Sequence, residues 1–108
     1  MNSLTKDEFM KIYNEGKNLT DKSIFIIFYA TWWGPCKMYE QVLNDITPEY
    51  EDKIKMYKVN IEEESEIAGL FKIMGVPNTT TISKNGDVFS QPGALNKETL
   101  KYFLEGLI

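Results

Sequence analysis

The sequence predicts an α/β sandwich whose sheet has a parallel portion and an antiparallel edge. Three observations carry that reading. Segments with apolar residues at helical spacing alternate with short β-branched and aromatic runs, as in strand–helix–strand units. The run from Ser23 to Ala30 is apolar at nearly every position, as in a strand buried on both faces. The last third places two short runs around Asn85-Gly86, a strong hairpin signal, before a final helical segment. A chain of 108 residues, 43% apolar and 26% charged, makes a single domain (1–108) with one core.

Each element has a local cause. Thr5-Lys6-Asp7-Glu8 has the form of a capping box, with Thr at the N-cap and Glu at N3. Phe9, Ile12 and Tyr13 follow at helical spacing and Gly16 reads as a stop, so the first helix is predicted over about 5–16. Trp33-Gly34-Pro35 breaks the chain after the apolar run. Pro35 suits the first turn of a new helix, where its missing N–H is not needed. Met38, Val42, Leu43 and Ile46 give that helix its apolar face, and Thr47-Pro48-Glu49 predicts a kink or restart. Ile54 to Asn60 is a second strand. Glu62 to Glu66 place negative charge ahead of Ile67, Leu70 and Phe71, which favours a short helix. Gly75-Val76-Pro77 interrupts again. Thr79–Ile82 and Val88-Phe89 are the hairpin strands. Asn96 caps a last helix carrying Leu100, Phe103, Leu104 and Leu107 on one face.

Composition excludes several functions. The net charge is −4 and all 12 cations are lysine, which argues against a nucleic-acid partner. There is no His, and one Cys makes neither an internal disulfide nor a Cys-rich zinc site, so no metal and no cofactor are expected. Glu62-Glu63-Glu64 reads as a solvated helix start. Asn18-Leu19-Thr20 and Asn78-Thr79-Thr80 match the glycosylation sequon and read as coincidence. Met1 to Asp7 lacks the signal-peptide pattern, and the longest apolar run, Ile24–Ala30, is too short to span a bilayer. The expectation is a cytoplasmic monomer with no membrane association.

Four spaced motifs carry a family resemblance. Ala30-Thr31-Trp32-Trp33-Gly34-Pro35-Cys36-Lys37-Met38 resembles the active-site segment of the thioredoxin family. Gly75-Val76-Pro77 resembles its cis-proline loop, Lys84-Asn85-Gly86-Asp87-Val88 its hairpin, and Pro92-Gly93-Ala94-Leu95 its lead-in to the last helix. The resemblance runs from about Ser23 to Ile108. The first helix also fits, and the first strand is shortened to about Asn2–Leu4. It implies the thioredoxin fold, a central mixed sheet of four to five strands between helices. It also implies a thiol–disulfide oxidoreductase of cell redox homeostasis and electron transport.

The chain departs from the family where the chemistry lies. The family motif is Cys-Gly-Pro-Cys, and the corresponding residues are Trp33-Gly34-Pro35-Cys36. Cys36 matches the resolving position and Trp33 the nucleophile's. A thiolate there is stabilised by unpaired N–H groups at a helix start. Trp33 cannot ionise, attack a disulfide or form a mixed disulfide. With one thiol, dithiol exchange within the chain is excluded by atom count. Ile27 stands where many thioredoxins carry a buried acid that relays protons, and Lys58 matches the base that accompanies it. Without that partner Lys58 is expected to turn its ammonium toward water. Gln41 replaces a helix-kinking proline.

The resemblance leaves a binding surface. Trp32, Trp33, Gly34, Pro35, Val76, Pro77, Gly93 and Ala94 are expected to form a mostly apolar patch. The Val76 backbone would pair with extended segments of protein substrates or clients. Three readings follow. The chain is an inactivated variant of a parent with cysteine at position 33, served by a thioredoxin-reductase-like reductant. Alternatively, Trp33 is native and the protein is a redox-silent binding module. In the third reading, Cys36 performs slow monothiol chemistry, which burial would hinder.

Overall fold

The computed structural model describes residues 1–108. From the N-terminus the elements are β1 (Asn2–Ser3), α1 (Lys6–Ile12), β2 (Tyr13–Asn14), β3 (Lys17–Asn18), β4 (Ile24–Tyr29) and α2 (Gly34–Ile46). A 3-10 turn (Thr47–Tyr50) leads to β5 (Lys55–Asn60), α3 (Ser65–Leu70), β6 (Asn78–Ile82), β7 (Val88–Pro92) and α4 (Lys97–Glu105). Five strands form one sheet in the order β1-β5-β4-β6-β7. Its first three strands are mutually parallel; β6 runs antiparallel to β4, and β7 antiparallel to β6.

The continuous apolar run of β4 has a simple cause, because both faces of the strand are covered. Phe25 and Ile27 pack under Tyr39, Leu43 and Ile46 of α2 and Leu100 and Leu104 of α4. Ile24, Ile26 and Phe28 pack against Phe9 of α1 and Ile67 and Ala68 of α3. Burying each such side chain stabilises the fold by about 1.5–3 kcal/mol. The caps form as the sequence suggests. Thr5 Oγ1 accepts from the Glu8 N–H at 3.2 Å, and Asn96 Oδ1 accepts from the Thr99 N–H at 2.8 Å. The Thr47-Pro48 restart is the 3-10 turn, where the Thr47 hydroxyl bonds back to the Leu43 carbonyl at 2.8 Å.

The first helix is shorter than the predicted 5–16 and ends at Ile12. Tyr13 and Asn14 instead pair antiparallel with Asn18 and Lys17. The turn between them holds Glu15 at φ 52° and Gly16 at φ 76°, so Gly16 is a hairpin residue, not a helix stop. Tyr13 keeps its packing on Phe9, with ring centroids 5.6 Å apart, so its apolar spacing fits both structures. The second hairpin is longer than predicted, because β7 reaches Pro92. Its loop, 83–87, is organised by the Ser83 hydroxyl, which accepts from the Asn85 and Asp87 N–H groups. Gly86, at φ 90°, lies against the first hairpin turn: a Cβ there would sit 2.4 Å from the Gly16 carbonyl oxygen.

Candidate functional site

The site forms where β4 ends and α2 begins. Trp33 is the N-cap of α2, with extended backbone (φ −96°, ψ 121°) and no side-chain capping bond, since an indole offers no acceptor. Its carbonyl accepts from the N–H groups of Cys36 and Lys37 at 3.1 and 3.3 Å, and Pro35 occupies the first turn. Trp33 is 43% exposed and Trp32 64%. Their rings meet edge-on, centroids 5.7 Å apart, and Trp32 Nε1 donates to Glu62 Oε1 at 2.5 Å.

Cys36 lies in the first turn of the helix, three residues after the N-cap, and is only 6% exposed. It borders a cavity of about 70 Å³ whose walls include Ile27, Tyr39, Lys58 and Pro77. The sheet register explains this grouping: Ile27 of β4 lies between Lys58 of β5 and Thr79 of β6. Lys58 is half-buried and makes no ion pair; the three ion pairs of the chain are Met1–Glu51, Lys6–Glu66 and Lys97–Asp45. Two polar groups in this region are not singled out by sequence reasoning. The Tyr39 hydroxyl and Thr79 Oγ1 share a buried hydrogen bond of 2.8 Å. Burial pushes the Tyr39 phenol up to about 12. Tyr39 follows Cys36 by three positions on α2, which is the one signal that could have found it.

A second, open groove of about 350 Å³ is lined by Trp32, Trp33, Ile61, Ile73, Met74, Gly75 and Val76. Met74 is 98% exposed and carries no sequence pattern that marks it. The Val76–Pro77 peptide bond is cis. The Val76 N–H and carbonyl make no hydrogen bond within the chain, so both are free for an added strand. Pro77 is buried beneath the surface and is not part of the exposed patch. Gly93, at φ 85°, donates its N–H to the Pro77 carbonyl at 2.9 Å and so ties the last loop to the site. Gly34, Pro35, Gly93 and Ala94 are exposed but line neither cavity nor groove.

The arrangement thus holds one buried thiol, no second thiol, and no cluster of His, Cys, Asp or Glu able to hold a metal. No helix is long and apolar enough to cross a membrane.

A mixed five-stranded sheet between helix pairs, in the strand order described, is the thioredoxin fold. The thioredoxin family model matches residues 1–106. The chain is 37% identical over 86 residues to thioredoxin of Haemophilus influenzae, covering 79% of each chain. It is 39% identical over 87 residues to thioredoxin 1 of a Nostoc species, covering 80% of each. Among solved structures, the germline-specific thioredoxin Deadhead of Drosophila melanogaster superimposes with a TM-score of 0.81 at 26% identity, covering 100% of both chains. The chain belongs to the thioredoxin family, a family of oxidoreductases, and carries a single cysteine.

Proposed function

We propose that this protein binds extended segments of protein clients across Trp32, Trp33, Gly34, Pro35, Val76 and Gly93, with the buried Pro77 shaping the loop beneath them, and performs no dithiol exchange. The observation that carries the reading is the indole of Trp33 at the N-cap of α2, one turn from the only thiol. Exchange requires one thiolate to attack a client disulfide and a second thiol to resolve the mixed disulfide. Cys36 holds the resolving position, and its burial speaks against solitary chemistry. Ile27 in place of an acid, beside an unpaired Lys58, removes the proton relay as well. The free Val76 backbone and the exposed indoles supply what strand addition needs. In this reading the protein acts as a monomer in the cytoplasm.

Retention of Cys36 at the resolving position favours one further reading: a parent with cysteine at position 33 is a working disulfide reductase served by a reductase partner. Both readings give the same result for this chain. Turnover of a disulfide-bonded peptide with excess dithiothreitol should stay at the uncatalysed rate, and Trp33→Cys should raise it. Equal turnover by the unmodified chain and the variant overturns the proposal.

A further inference from the structure

The groove beside Trp33 has a distinctive charge setting. Its lining is apolar, and no lysine contributes to it. Glu62 reaches its edge, fixed there by the bond from Trp32 Nε1, and Glu63 follows in sequence. Glu40, Glu62 and Glu63 are exposed, and none is in an ion pair. Glu40 lines the other cavity, with Tyr29, Cys36 and Lys58, so Glu62 is the carboxylate fixed at the groove and Glu63 its neighbour in sequence.

Resting on the client-binding reading of this groove, we propose that its preferred occupant is an extended protein segment in which an apolar side chain is flanked by lysine or arginine. The apolar residue fills the space between Trp33 and Met74, whose unbranched thioether adapts to different shapes. The cation lies on the exposed Trp32 ring and against Glu62 and Glu63, combining ring and carboxylate attraction. An anionic flank would meet the same carboxylates repulsively, so the groove discriminates by sign.

The test uses two end-capped peptides with the same central Val-Leu, one flanked by lysines and the other by glutamates, titrated against the full chain. Binding is read from tryptophan fluorescence and the Val76 amide resonance. The lysine peptide should bind about fivefold or more tighter at low salt, and the difference should shrink at high salt. Glu62→Gln with Glu63→Gln should remove most of that difference, because glutamine keeps the acceptor for Trp32 while losing the charge. Equal affinity for both peptides, or a preference untouched by the double variant, overturns the charge proposal alone. Binding of neither peptide overturns it together with the client-binding reading. A dimer of the chain alone, lost on Trp33→Ser, assigns the groove to a second copy and also overturns it.

Discussion

Tyr39→Phe removes a single hydroxyl from the wall of the cavity below Cys36 and Pro77. Tyr39 and Thr79 are both buried, and their hydroxyls share the 2.8 Å bond. Without the phenol, the Thr79 hydroxyl loses that partner, which costs about 1–3 kcal/mol at neutral pH. The pH dependence has the opposite sign. The phenol ionises near 10.0 in the unfolded chain and only at about 12 in the folded one. The wild-type stability tied to this group is complete below pH 10 and is lost as pH rises toward 12, by about 1.4 kcal/mol per unit. Phenylalanine has no such proton. Urea unfolding at about pH 8 should show wild type ahead of the variant, and by about pH 11 the gap should narrow by about 1.4 kcal/mol. Thr79→Val alone should also destabilise, while the double variant should recover much of the loss, because no polar group is then left unpaired. A gap of equal size at both pH values, or a double variant that simply sums the two single losses, refutes the reasoning.

Cys36 should react with a thiol reagent more than about tenfold more slowly in the folded chain than in denaturant, as its burial implies; equal rates would restore single-thiol chemistry. Gly86→Ala should lower stability by about 1–3 kcal/mol, since it combines a positive φ with a Cβ 2.4 Å from the Gly16 carbonyl oxygen; an unchanged unfolding midpoint would show that the two turns separate freely. Asn96→Ala should cost about 1 kcal/mol by removing the cap on the Thr99 N–H, while Asn96→Ser should lose less, both read by denaturant unfolding.

Features with local causes were legible in the sequence. The Thr5 and Asn96 caps, the Thr47-Pro48 restart and the doubly buried β4 each follow from residues within a few positions of one another. The hairpin of β2 and β3 was not, because Phe9, Ile12 and Tyr13 keep helical spacing while Tyr13 already sits in a strand. Within the site, the spacing of Trp33 and Cys36 was readable. The Tyr39–Thr79 bond was not, because it depends on β6 lying antiparallel beside β4, with Thr79 opposite Ile27. Pro77 looked like surface and is buried, and Met74 looked unremarkable and is almost bare. Both outcomes are set by how distant segments stack.

The indole at the head of α2 has a consequence for how long a client stays. A covalent thiol intermediate holds its cargo until a second thiol displaces it, so its lifetime is set by thiol exchange. Here no such tether forms from position 33. In the proposed client-binding reading, departure is governed by thermal dissociation, and occupancy follows client abundance under oxidising and reducing conditions alike.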